Sequence, residues 1–600
     1  IAYGPKGPSR VQIPPSPSYR ASPGRGRLVA PSRPSVSASH AAAHCARKKD
    51  GALIGRGGNC GESKSNAVPR TRGGGTRVRS VAVLVLATVA LTVPITAIAD
   101  NHQRDAFVGA KLLAAAKRNP DGFLRVIVQG DDGTTTGRVA DEVSSRLDDN
   151  SSSRDALTGR FQSITGVAAT LTGTQVLQLA KDGAIDAITG DVPIVSSSGA
   201  HSVLGPTDAD SWIRETGLFS AQRIDGVPRK AMPTIAVVDS GIEAGEVGSR
   251  TIGEISMTQL SPNASGDGHG HGTFVAGIAA AAAPGAHLIG IDVMDDQGKA
   301  MTSDVIAAAD WVQQNKDRYR IRVANFSLHA TRPSSFRSDP LDRAVERLWL
   351  GGVVVVTSAG NHRLGSGPSG VPFAPANDPF VITVGATDLG SVVGGADDFN
   401  APWSAYGRTP DGFLKPDLGA PGRRLIGPVP VDSTIAAEHL DRIVNRGRMR
   451  MSGTSFAAPI VAGAAAQLLA RHPNWTPDEV KGALMVSARH AGRAEDSSIG
   501  TGELDVRAAL KITQPPNPNR ALARFLVEDS SGSTVPVFDS ASWDSTADTD
   551  ASWDSASWAD ASWADASWAD ASWADASWAD ASWADASWAD ASWADASWVD

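Results

Sequence analysis

Between residues 205 and 512 the chain alternates two hydrophobic rhythms. Short, almost wholly apolar runs rich in β-branched residues lie at 234–238, 287–294, 323–328, 353–358 and 380–386. They are separated by stretches with apolar positions at helical spacing, at 274–283, 303–314, 341–350, 457–471 and 476–487. A run that is apolar at every position is a strand covered on both faces. Strands alternating with helices build a parallel sheet with helices on both faces, so an α/β main domain is expected. Upstream, residues 101–198 predict a small α+β domain, with strands at 124–129, 164–171 and 185–188 and helices at 138–147 and 174–181.

The remaining stretches break this pattern. Residues 81–98 are an almost unbroken apolar run behind Arg77 and Arg79, closing on Ala97-Ile98-Ala99. A basic start, an apolar middle and a small-residue exit describe a secretory signal peptide, and Pro94 favours it over a membrane anchor. Pro515-Pro516-Asn517-Pro518 marks a linker. From Trp553 to Trp598 a tryptophan recurs at every fifth residue, mostly in Ala-Ser-Trp-Ala-Asp units. On a helix successive tryptophans would rotate by about 140°, and on a strand they would alternate faces. The tail is therefore expected to be weakly ordered, the competing reading being an array of aromatics that stacks on sugars.

Composition sharpens the domain picture. The 600 residues carry a net charge of −8, unevenly placed: residues 1–80 hold 15 Lys/Arg against 2 Asp/Glu, and residues 531–600 hold 14 Asp and no Lys or Arg. Such blocks are usually solvated ends, so no nucleic-acid partner is expected. The two cysteines, Cys45 and Cys60, precede every predicted domain, which excludes disulfide, thiolate-metal and cysteine-nucleophile chemistry from the main domain. No methionine precedes Met232, which suggests a reading frame extended upstream of the true start, with a valine such as Val68 as that start. The expected organisation is a basic extension (1–76), a signal peptide (77–99), a small α+β domain (100–198), the main domain (199–512), a linker (513–540) and an acidic repeat tail (541–600).

Three stretches carry candidate chemistry. Ile235-Ala-Val-Val-Asp239 ends a strand on an acid, where parallel sheets place their chemistry. Gly268-His-Gly-His271-Gly-Thr-Phe274 is a glycine-rich loop that runs into a small-residue helix. Ser452-Gly-Thr-Ser455-Phe-Ala-Ala-Pro459 turns sharply into another, with Ser455 at the helix start, where free backbone N–H groups and the helix dipole favour developing negative charge. Pro459 is expected to be tolerated as a first-turn residue. A metal site of Asp267, His269 and His271 is a rival reading of the second stretch, though it leaves the other motifs unexplained.

With Ser358-Ala-Gly-Asn361 between the second and third stretches, the chain resembles the subtilisin-like serine proteases (subtilases), whose residues follow the same order Asp, His, Ser. The resemblance covers about residues 230 to 512. It implies that Ser455 is the nucleophile, His271 the proton carrier, Asp239 its partner and Asn361 the oxyanion-binding amide. It also implies substrate-binding roles for Ser327, Leu328, His329, Ser358, Ala359 and Gly360. Ile164-Thr-Gly-Val-Ala, Leu171-Thr-Gly-Thr and Ile188-Thr-Gly-Asp resemble the ferredoxin-like propeptide of the family, which assists folding, inhibits, and is cut by the enzyme itself; the cut is expected within 194–203. The chain departs from the family pattern at Phe274, where a histidine is common, and at His329, which stands where glycine is usual and adds bulk and a titratable group beside the pocket. The implied protein is a secreted, extracellular serine endopeptidase made as a zymogen, which crosses a membrane only during export. Its partners are protein or peptide substrates and its own propeptide. No cofactor serves the chemistry; structural calcium is frequent in the family, but no ligand loop can be matched here and the metal assignment stays open. The reading from another class is a catalytically idle surface protein that binds through the tryptophan tail.

Overall fold

The computed structural model describes residues 105–131, 133–147, 156–197, 211–218, 232–390, 395–495, 497–529 and 533–549. The basic extension, the apolar run at 81–98, residues 198–203 and the repeats from Trp553 onward lie outside the described residues.

The first unit is built from β1 (Phe107–Val108), α1 (Ala110–Arg118), β2 (Phe123–Gly130), α2 (Thr136–Ser144), β3 (Ala156–Arg160), β4 (Gly166–Thr172), α3 (Gly173–Leu179) and β5 (Ile185–Gly190). From β2 to β5 the order is βαββαβ, and the sheet runs β1-β5-β2-β4-β3, the split arrangement expected of a ferredoxin-like α+β domain. α3 starts cleanly because Thr172 and Gln175 form a capping box, each bonding the other's backbone N–H. Pattern reading located three strands and two helices here but missed β1, α1 and β3. β1 and β3 are short edge strands with half-exposed residues.

The main unit is an eight-stranded sheet. β7 (Thr234–Asp239), β8 (Thr251–Ser256), β9 (Leu288–Asp292), β11 (Ile321–Phe326), β13 (Val354–Ser358) and β14 (Ile382–Asp388) lie in the order β8-β9-β7-β11-β13-β14, all parallel. The short β15 (Phe399–Asn400) joins β14 antiparallel and β16 (Leu418–Pro421) joins it parallel. β7, β9, β13 and β14 are buried at every position, as strands covered on both faces must be. The cover comes from two helix pairs: α4 (His271–Ala282) packs on α7 (Thr454–Arg471), and α5 (Thr302–Tyr319) packs on α6 (Pro340–Leu350). The expected parallel sheet with helices on both faces is what the chain forms.

Alanine and glycine let α4 and α7 approach closely. A Cβ added to Gly463 of α7 would stand 2.3 Å from the Cβ of Ala282 in α4.

The first unit is docked on the second. Asp310 of α5 accepts from the backbone N–H groups of Gln162 (2.7 Å) and Ser163. Asp191 accepts from Ser303 N–H at 2.9 Å and pairs with Arg125 at 2.7 Å. The connecting chain then runs as β6 (Pro193–Ser196) between two short strands of the main unit, β10 (Lys299–Met301) and β12 (Leu328–Ala330), antiparallel to both.

Residues 513–529 and 533–549, placed above in the linker and early tail, carry contacts that a free linker would lack. Leu526–Val527 pairs with Val537–Phe538, Arg347 of α6 holds Asp529 at 2.5 Å, and the buried Trp543 lies against Phe413 and Phe336.

Gly463→Val overfills the helix crossing and is expected to cost about 1–3 kcal/mol. Thermal unfolding of the purified protein reads this as a lowered midpoint; an unchanged midpoint would mean that the crossing has slack.

Candidate active site

Asp239 is the last residue of β7, and its carboxylate is fully buried. Its Oδ1 accepts from the Ser240 N–H at 2.9 Å and meets His271 Nδ1 at 2.7 Å. His271 is the first residue of α4, also fully buried. The helix can start there because Gly270 adopts φ 98°, and because the position of a Cβ on Gly272 lies 2.1 Å from the Gly241 carbonyl oxygen. No larger residue at 272 lets the first turn of α4 touch the end of β7. Asp267 fixes the loop before the helix, accepting from Ser240 Oγ (2.8 Å), Gly270 N–H (2.6 Å) and Thr273 N–H (2.7 Å). Burial lifts its pKa to about 7 against these donors. His271 Nε2 has no hydrogen-bond partner among the described residues. Its ring lies 5.3 Å from that of Phe456, one residue beyond Ser455.

Ser455 is the second residue of α7 and fully buried. Its Oγ donates to the Ser327 carbonyl at 3.1 Å. Pro459 is the sixth residue of this helix, not part of its first turn as expected. Lacking an N–H, it leaves the Ser455 carbonyl without a helical donor, and Ser327 Oγ supplies one at 2.8 Å. Asn325 Nδ2 in turn donates to Ser327 Oγ at 2.9 Å. Asn361 is oriented from the same helix end: its Oδ1 accepts from Thr454 N–H (3.0 Å) and Thr454 Oγ1 (3.1 Å). That frees the Asn361 amide to donate, and it donates to the Ser197 carbonyl. Ser197 N–H donates to the Ser327 carbonyl at 3.2 Å.

The other expected site residues divide. Leu328 and His329 face β6, the tail of the first unit, in register, opposite Ser196 and Val195. Ser358, Ala359 and Gly360 make no hydrogen bond to the tail among the described residues. Ala359 N–H bonds Val384 O, and Gly360 N–H bonds Thr454 Oγ1 at 3.1 Å, so this stretch carries Asn361 into place. Phe274 packs on Phe456 with ring centroids 4.5 Å apart, filling the space behind His271. His269 is buried 6.2 Å from the His271 ring, and its pKa falls to about 4 through burial and then the charge of His271. With Asp267 spent on three donors and His271 on Asp239, the metal reading of this loop loses its ligands. Among the described residues no group of three or more His, Cys, Asp or Glu could hold a metal ion, so no residue is assigned to calcium. Sequence reading missed the supporting residues Ser240, Thr454 and Phe456, and offered Asp267 only as a metal ligand. Each adjoins or sits within four residues of a recognised one, but only the fold shows which atom it holds.

The sequence pattern of the subtilase family matches residues 230–502. Serine protease AprX of Bacillus subtilis (strain 168) is 37% identical over 296 residues, which cover 46% of this chain and 66% of that protein. Subtilisin NAT of Bacillus subtilis subsp. natto is 30% identical over 361 residues, 59% of this chain and 82% of the relative. The crystal structure of fervidolysin from Fervidobacterium pennivorans, a keratinolytic enzyme related to subtilisin, aligns with a TM-score of 0.49 and 22% identity, covering 66% of this chain and 62% of that one. The family pattern and the two sequence relatives define a serine endopeptidase. The chain belongs to the subtilase family.

His362, next to Asn361, gives the site a pH dependence. Burial, then the charge of His329, push its pKa from 6.5 to about 4, with the Gly370 carbonyl pulling the other way. The folded value lies below the unfolded one, so the neutral ring contributes stability that is present above pH 6.5 and lost as pH falls toward 4. The loss is at most about 1.4 kcal/mol per pH unit. His362→Gln should show a smaller drop in unfolding free energy than the parent on going from neutral to mildly acidic pH. Urea titration with a covalent serine-protease inhibitor present measures both; equal drops would assign the dependence elsewhere.

Proposed function

We propose that this chain is a secreted subtilisin-like endopeptidase that emerges as a zymogen and cuts itself free of its first unit. The observation that carries the reading is the seat of Ser197. Its N–H bonds the Ser327 carbonyl, its carbonyl accepts from the Asn361 amide, and Pro193–Ser196 lies as a strand between β10 and β12. A peptide substrate would lie the same way, because added-strand pairing reads backbone rather than side chains.

The chemistry follows from the buried pair. Asp239 on Nδ1 fixes the imidazole tautomer that leaves Nε2 as the acceptor. His271 takes the Ser455 proton as Oγ attacks the carbonyl carbon, then gives it to the departing amine. Water, deprotonated by the same imidazole, releases the acyl group and restores the serine. The positive charge that forms on His271 sits away from water beside the Asp239 carboxylate, where the attraction is strong. The oxygen that becomes negative is met by the Asn361 amide and the N-terminal N–H groups of α7. Ser327, Leu328 and His329 hold the substrate strand, and Ser358, Ala359 and Gly360 form the facing wall that ends in Asn361. Secretion rests on the apolar run at 81–98 behind Arg77 and Arg79.

A fluorophosphonate probe should label the mature protein and not Ser455→Ala; equal labelling of both would remove Ser455 as nucleophile. Asn361→Leu should lower kcat by 10²–10³ with little change in KM, a magnitude carried over from subtilisin itself. N-terminal sequencing of the mature enzyme should begin at Ser198. A start outside 194–203 would show that the seat of Ser197 is not the processing site.

A further inference from the structure

Three aromatic side chains gather on the face of β12 that Ser197 shares. β6 and β12 pair with Val195 opposite His329 and Ser196 opposite Leu328. The Ser197 N–H bond to the Ser327 carbonyl continues that register by one residue. Directly opposed residues of an antiparallel pair project to the same face, and faces alternate along each strand. The side chains of Ser197 and His329 therefore share one face, diagonally placed. On that face His329 stacks on Phe373, with centroids 5.4 Å apart and planes at 25°. His362 meets the same phenyl ring edge-on at 4.9 Å, and the two imidazoles lie 6.4 Å apart. His362 also closes on the facing wall: a Cβ on Gly360 would stand 2.8 Å from its Nδ1. The three rings thus occupy the space between β12 and the Ser358–Gly360 stretch. Ser197, above them, is 1% exposed, and its hydroxyl has no partner among the described residues.

We propose that this triple-ring floor makes the enzyme selective for peptides with a small uncharged residue (glycine, alanine or serine) immediately before the cleaved bond. The proposal rests on the peptidase reading and names its substrate class. A serine hydroxymethyl fits in the room left. A phenyl, leucyl or lysyl side chain would have to displace Phe373, which is 9% exposed, or His329, which Phe373 holds from one side and the Ala330 carbonyl from the other at 2.8 Å. Burial pushes both imidazoles below their usual pKa, so near neutral pH the floor is uncharged and offers no counter-charge to an acidic or basic side chain. The specificity-determining residues are His329 and Phe373, and His362 positions Phe373.

The test uses the mature enzyme, first titrated with a fluorophosphonate to count competent sites, so that failure of the peptidase reading shows as absent labelling. kcat/KM is then measured on tetrapeptide p-nitroanilides that differ only in the last residue. Alanine and serine are expected to exceed phenylalanine, leucine and lysine by at least tenfold. In His329→Gly and separately in Phe373→Gly, the phenylalanine-to-alanine ratio should rise at least tenfold. Equal or better cleavage after phenylalanine or leucine by the labelled parent enzyme would overturn the proposal, whether or not either variant folds. So would a ratio unmoved in folded, labelled variants.

Discussion

One contact constrains this molecule more than any other: a carboxylate and an imidazole 2.7 Å apart, both shut off from water. Two ionisable groups buried together are costly unless every lone pair is placed. The chain holds the contact by ending a fully buried strand on Asp239, starting a helix on His271, and spending Asp267 and Ser240 on the loop between them, while Asp239 Oδ2 and His271 Nε2 stay without a partner among the described residues. The small residues of α4 and α7 serve the same end. Gly463 of α7 and Ala282 of α4 let the two helices approach so closely that a Cβ at 463 would collide.

The start of α7 is organised around a missing hydrogen bond. Pro459 cannot donate to Ser455, and the vacancy is taken by Ser327, whose carbonyl also receives the Ser455 hydroxyl and the Ser197 N–H. A single residue on β12's approach thus joins the helix carrying Ser455 to the strand that pairs with the tail. Asn361 is set in the same way, from Thr454, so the groups around the Ser197 carbonyl are fixed relative to one helix end rather than to separate loops.

The repeating architecture was readable from pattern because buried parallel strands are apolar at every position and their helices are not. All five strands and five helices expected of residues 205–512 are present. The same reading passed over β1, β3 and β6, whose half-exposed residues carry no strong period and which exist because a neighbouring edge accepts them. At the site, Asp239, His271 and Ser455 stood out because each lies at the end or start of an element beside glycine or small residues, whereas Asn361 came only through the family resemblance. Pro459 was misplaced by a turn, since the helix starts at Thr454 and not beyond Ser455. Phe373 and His362 drew no attention at all: aromatic side chains in a proline- and glycine-rich loop have no periodicity to betray them, and only tertiary contact shows that they share a space with His329.

The docking of the first unit has a thermodynamic corollary. It is held by carboxylates receiving backbone N–H groups, by the Arg343–Asp186 pair, by apolar side chains such as Ile127 and Phe161 that join the main core, by a four-residue strand inserted between two edges, and by the continuous chain. While that chain is intact, the unit is present at an effective concentration no solution can match. Were it cut, the tether would become an ordinary equilibrium between two molecules, set by their concentration and by the strength of these contacts.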